Sequence, residues 1–131
     1  MQQDVVANAD ALRDGLSQSG HVEVAGIYFD TNKATLKPES KPALEELTKL
    51  LKSSPSLRVW VVGHTDSVGS VESNLELSKA RAIAVLNALT AAGIPAARLS
   101  PFGNGPYAPV AANSSEEGRA KNRRVEIVAQ P

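Results

Sequence analysis

The chain has 131 residues, the size of one ordinary domain, and can bury a core without disulfides or metal. Hydrophobic residues make up 42% and charged residues 21%, with 14 Lys plus Arg against 14 Asp plus Glu. That balance argues against a general nucleic-acid binder or a membrane-surface protein, which would carry a basic excess, but allows a local charged pocket. The absence of cysteine excludes disulfides, thiolate metal sites and a Cys nucleophile. No apolar run approaches the roughly 18 residues that span a bilayer. Met1-Gln2-Gln3-Asp4 lacks the basic and apolar regions of a signal peptide. The chain is therefore cytoplasmic, or a piece of a longer secreted protein.

Asp4 to Ser17 carries Val5, Ala9, Leu12 and Leu16 at helical spacing, weakened at its end by Gly15 and Gly20. His21 to Asp30 reads as a strand rich in β-formers, with a bulge expected at Gly26. Asp30-Thr31-Asn32-Lys33 is turn chemistry. Lys37 to Leu51 predicts a helix with Leu44, Leu47, Leu50 and Leu51 on one face. Pro42 makes it begin late, capped by Ser40, or bend in its first turn.

Leu57 to Val62 is almost continuously apolar, as in a central strand covered on both faces. Gly63 to Ser70 is expected to leave the sheet. Ser73 and Glu76 form a capping-box pattern for a helix to about Ala92, stopped by Gly93. Arg98 to Phe102 reads as a short strand and Gly103 to Ser115 as a long loop. Glu116 to Asn122 is polar and reads as one helical turn, and Arg124 to Val128 reads as a final strand. The order is β-α-β-α-β-β after a leading helix. Residues 1–20 read as a helical lead-in and residues 21–131 as one domain, without internal repeat or linker.

Asp66 follows the central strand, where α/β layers gather ligands. Gly63 and Gly69 allow close backbone approach there. A carboxylate so placed can receive an ammonium. The bland alternatives are a turn cap and a structural ion pair with Arg81. Arg81 sits in an amphipathic helix, bracketed by Leu77 and Ala84, and so leans toward the apolar face. It is either solvated or half-buried and in need of a carboxylate. Together Asp66 and Arg81 suggest a pincer for a ligand bearing both an ammonium and a carboxylate.

Other chemistries fit less well. His64 and Asp66, with His21 the only other histidine, make an incomplete ligand set, so no metal site is expected. Ser67, His64 and Asp66 lie too close along the chain for a triad, and no nucleophile elbow is present. No catalytic residue and no cofactor are expected. Gly103-Asn104-Gly105 is too short for a phosphate loop. Arg119, Lys121, Arg123 and Arg124 form a basic cluster: a solvated face balanced by Glu116 and Glu117, or a lining for the site.

Five stretches carry a family resemblance: Tyr28 to Glu39, Gly63-His64-Thr65-Asp66-Ser67-Val68-Gly69-Ser70, Asn74 to Ala82, Gly93-Ile94-Pro95, and Gly118 to Ile127. In this order, over roughly residues 26–128, the chain resembles the OmpA-like peptidoglycan-binding domain. That module occurs in outer-membrane proteins, peptidoglycan-associated lipoproteins and flagellar stator proteins. The resemblance implies an α/β two-layer sandwich, with a mixed sheet and helices on one face. It implies non-covalent binding of peptidoglycan through the diaminopimelate of the stem peptide, anchoring an outer-membrane or periplasmic protein to the cell wall. The binding aspartate matches Asp66 and the binding arginine matches Arg81. Asn74 matches an asparagine beside the pocket, next to the Thr65-Asp66 turn. Asp30, Thr31 and Asn32 would supply main-chain contacts, with Arg123 and Arg124 at the rim. No nucleic acid is implied, and a membrane is implied only through parts outside this chain. The rivals from other classes are a peptidoglycan-cleaving or metal-dependent enzyme and a pure protein-interaction module.

Overall fold

The computed structural model describes residues 6–131. In chain order the elements are α1 (Ala9–Ser19), β1 (His21–Glu23), α2 (Lys41–Ser53), β2 (Val59–His64), α3 (Val71–Ala91), β3 (Leu99–Gly105), α4 (Glu116–Asn122) and β4 (Val125–Ala129). Short 3-10 turns cover Pro38–Ser40 and Ala96–Arg98. The four strands form one mixed sheet in the order β1-β4-β2-β3. β4 runs antiparallel to β1 and β2, while β2 and β3 are parallel.

Alternation along the strands separates two faces. Val59, Val61, Val125 and Ile127 point into the core, where they meet Leu47, Leu50 and Leu51 of α2 and Val85 and Leu89 of α3. Each such side chain contributes about 1.5–3 kcal/mol by leaving water. The leading helix adds Leu12 and Leu16 to the same core. Among the described residues the opposite face carries no helix, and Trp60 and Phe102 remain 37% and 54% exposed there. The central strand is thus covered by helices on one side only. Its apolar run reads as two-sided cover because Trp60 is apolar though 37% exposed, while Val62 on the same face is buried at 8% without a helix over it.

Local chemistry moved several boundaries. α1 begins at Ala9, because the Asn8 side chain caps it by accepting from Asp10 and Ala11 N–H. The expected start at Asp4 and Val5 lies outside the described residues. The first strand is only three residues long: Gly26 adopts φ +94°, and the chain leaves the sheet for a loop closed by a Phe29–Leu36 bridge. Ser40 does not cap α2 with its side chain. Its hydroxyl instead accepts from Tyr28 N–H and donates to Tyr28 O, pinning that loop. Ser70, not Ser73, caps α3, accepting from Ser73 N–H at 3.1 Å. Gly93 ends α3 as expected, with φ +102° and paired bonds from Gly93 N to Thr90 O and Ile94 N to Leu89 O. The segment expected as a turn at Glu116 is a full α4, capped by Ser115, so a helix separates the last two strands.

α3 lies directly on β2 and β3. A Cβ at Gly63 would sit 2.2 Å from Ser78 O, and one at Gly103 would sit 2.5 Å from Lys79 N. Glycine on both strands lets the helix backbone approach this closely. Ser78 Oγ completes the seam by accepting from Gly105 N–H at 3.0 Å. Arg81 follows Ser78 by one helical turn. The seam therefore fixes where its side chain emerges.

Candidate functional site

The site lies beyond the carboxyl end of β2. The strand continues through Gly63 and His64 rather than ending before them, and a bulge opposite Asn104 shifts its register with β3. Bulges commonly re-aim side chains beside functional sites. Thr65 N–H donates to Gly105 O at 2.9 Å, and the Thr65 hydroxyl donates to Asp66 O at 2.8 Å. Asp66 Oδ1 accepts from Val68 N–H at 3.0 Å, an Asx-turn. Asn74, in the first turn of α3 and 7% exposed, donates to Val68 O at 2.9 Å and to Asp66 O at 3.5 Å. It ties the turn to the helix that carries Arg81.

Arg81 is 8% exposed. Its Nε donates to Lys33 O at 2.9 Å and its Nη2 to Asp30 O at 3.4 Å. Its guanidinium lies 4.8 Å from the centre of the Phe29 ring. Among the described residues no carboxylate pairs with it. Burial pushes its pKa down, Arg123 pushes the same way, and Asp66 opposes them. Arginine stays charged across the physiological range regardless, so this is a buried cation with spare donors and no counter-anion.

Arg123 holds the acid that Arg81 does not. Its Nη1 donates to Asp66 Oδ2 at 2.7 Å and its Nη2 to Glu116 Oε2 at 2.5 Å. The hydrogen bond to Glu116, seconded by Asp66, raises the arginine's pKa and lowers that of Glu116. The structural ion pair between Asp66 and Arg81, open from the sequence, does not form.

A groove of about 960 Å³ runs past these groups. Its lining includes Asp66, Arg81, Asn74, Thr65, Arg123 and Arg124. Thr31 and Asn32 also line it, Asn32 with φ +57° at the tip of its turn. Asp30 does not line it and contributes its carbonyl to Arg81 instead. Arg124, though at the groove wall, is committed elsewhere: Nε to Glu126 at 2.7 Å and Nη2 to Ala108 O at 2.9 Å. Of the two terminal arginines, Arg123 reaches the acid.

Three contributors escape the sequence. Phe29 supplies the ring under Arg81, Lys33 its carbonyl, and Glu116 the second anchor of Arg123. Phe29 and Lys33 lie within the matched Tyr28 to Glu39 stretch, which was the available signal. Glu116 reads only as a balancing charge. Gly63 serves helix packing rather than ligand approach.

Both ring nitrogens of His64 lack a hydrogen-bond partner, and Nε2 stays 3.9 Å from Glu126. Burial first, then Arg124, push its pKa down to about 4. Among the described residues no three metal-binding side chains converge, and no helix is long and apolar enough to cross a membrane.

Known proteins resemble this chain in sequence and fold. The OmpA family profile matches residues 28–123. The chain is 44% identical over 105 residues to the probable lipoprotein YiaD of Escherichia coli K12, covering 80% of this chain and 48% of that protein. It is 40% identical over 103 residues to outer membrane protein A of Bordetella avium, covering 79% and 53%. The chain thus spans about half the length of these curated relatives. The crystal structure of the peptidoglycan-associated lipoprotein from Burkholderia pseudomallei superposes with a TM-score of 0.73 at 34% identity, over 79% of this chain and 88% of that one. Sequence profile and fold agree: the chain belongs to the OmpA family.

Proposed function

We propose that this domain binds peptidoglycan non-covalently, through the free end of a diaminopimelate residue in the stem peptide. That end carries an ammonium and a carboxylate on one carbon. Asp66 receives the ammonium and Arg81 the carboxylate. Asn74 and Thr65 hold the Asp66 turn, and the Asp30-Thr31-Asn32 loop positions Arg81 and offers main-chain contacts. Arg123 and Arg124 form the rim. The observation that carries this reading is Arg81 itself: a guanidinium 8% exposed, aimed by carbonyls and a ring, with no carboxylate partner among the described residues. A buried charge of this kind calls for a counter-ion, and a ligand carboxylate supplies it.

Each charged contact contributes on the order of 1.5–3 kcal/mol. A lysine side chain at the same place in a stem peptide has the ammonium but leaves Arg81 unpaired, which favours diaminopimelate. The name of the Burkholderia relative, a peptidoglycan-associated lipoprotein, points to the same polymer. The domain acts as a non-catalytic anchor, in the periplasm of a protein associated with the outer membrane.

The test is co-sedimentation with purified sacculi. Wild type pellets with diaminopimelate-type peptidoglycan, whereas Asp66→Ala and Arg81→Ala stay in the supernatant with their circular dichroism intact. Co-sedimentation of both variants at the wild-type level rules the pincer out.

A further inference from the structure

In the free protein the seat meant for an ammonium is already taken. Asp66 is 13% exposed, and both its oxygens are engaged: one by Val68 N–H, the other by Arg123 at 2.7 Å. The two arginines differ in how they are held. Arg81 is buried and fixed by carbonyls and the Phe29 ring. Arg123 is 35% exposed, and among the described residues its side chain bonds only to two carboxylates, Asp66 and the 68% exposed Glu116. Glu116 opens α4 and Arg123 caps its end, so the pair spans the short helix. If Arg123 lets go of Asp66, Glu116 still retains it.

We propose that Arg123 is an exchangeable guard on Asp66, a stand-in cation that an arriving ammonium must displace and that Glu116 then parks at the rim. This rests on the reading that Asp66 receives an ammonium. The exchange replaces one ion pair by another, so a plain amine gains little by making it. A zwitterion gains a second pair with Arg81, which has no such partner in the free protein. The guard thus subtracts the same amount from every ammonium ligand. It pushes amines that make one contact out of the useful range and leaves those that make two. It also keeps Asp66 neutralised when the site is vacant.

Removing the guard therefore tightens binding, the reverse of what a ligand-contacting arginine would give. Calorimetric or NMR titration of wild type and Arg123→Gln with meso-diaminopimelate, and with Nα-acetyl-lysine methylamide as the plain ammonium, reads this out. The variant is expected to bind diaminopimelate about 3- to 10-fold tighter, the range of a partly exposed ion pair. The plain ammonium should tighten by the same factor. Arg123→Lys keeps a cation near Asp66 but loses the fork that spans both carboxylates, and is expected to bind between wild type and Arg123→Gln. Equal or weaker diaminopimelate binding by Arg123→Gln, with wild type binding, overturns the guard and leaves the pincer standing. A wild type and variant that both ignore diaminopimelate overturn the reading of Asp66, and the guard with it. The amide spectrum of the variant checks its fold.

Discussion

Arg81 reaches 48 residues back along the chain to donate its Nε–H to the main-chain oxygen of Lys33, 2.9 Å away. Nη2 donates to Asp30 O at 3.4 Å, so two of the three nitrogens are used for aiming, and Nη1 keeps its donors for a ligand in the groove that Arg81 lines. Lysine cannot do both, since its ammonium is a single point charge without the planar fork. Arg81→Lys is therefore expected to keep the fold and lose at least about tenfold in affinity for diaminopimelate-type peptidoglycan. Affinity retained in a quantitative sedimentation series would show that only charge matters at this position.

Asn74 is expected to act through Asp66 rather than on the ligand. Its amide donates to two carbonyls of the Asp66 turn. Asn74→Ala leaves those carbonyls short of a donor in a poorly hydrated place, at a cost of about 1–3 kcal/mol in a urea melt. Ligand affinity should fall along with stability. An unchanged midpoint would place Asn74 outside the support of the turn.

Gly63 tests the seam that places Arg81. A methyl group there meets Ser78 O at 2.2 Å, a backbone atom that moves only if α3 moves. Gly63→Ala is expected to destabilise by at least about 2 kcal/mol and to weaken binding. A variant as stable as wild type would mean that α3 slides on the sheet without penalty.

His64 makes stability depend on pH. Its folded-state pKa of about 4 lies below the ordinary 6.5, because burial and Arg124 disfavour the charged ring while Glu126 only partly offsets them. Between those values the unfolded chain binds the extra proton. The contribution of the neutral ring is therefore complete above about pH 6.5 and is lost as pH falls toward 4, on the order of 2–3 kcal/mol in all. His64→Leu should flatten the stability profile across this window. It should also be no less stable at neutral pH, because two unpartnered ring nitrogens leave the interior. Glu46, Glu116 and Glu126 are lowered from 4.5 and govern the decline below it, while Glu23, raised by burial, works oppositely just above it. Those slopes are expected to persist in the variant. An unaltered slope between pH 6.5 and 4.5 would show that His64 is not its source.

The sequence makes the helices and central strand legible where periodicity and punctuation agree. Leu47, Leu50 and Leu51 mark α2, and Gly93 with Ile94 closes α3. Boundaries go astray where a side chain bonds at long range. Ser40 looks like a cap but serves Tyr28, twelve residues earlier, and β1 stops at Glu23, three residues before the positive-φ Gly26, although the residues that follow favour strand. Taken singly, Asp66 reads as a turn cap and Arg81 as a solvated arginine, and only their combination after a central strand marks them as candidates. Their relationship does not show in the sequence, because it depends on a loop 48 residues before Arg81 and an arginine 57 residues after Asp66. Glu116 is invisible for the same reason: a charge on a surface helix acquires a role only when the fold brings Arg123 between it and Asp66.

The most direct test of the pincer is a calorimetric titration of the domain with meso-diaminopimelate. Wild type is expected to bind one equivalent, and Asp66→Ala and Arg81→Ala to give no measurable heat while melting cooperatively. Saturable binding by both variants with wild-type affinity would contradict the account.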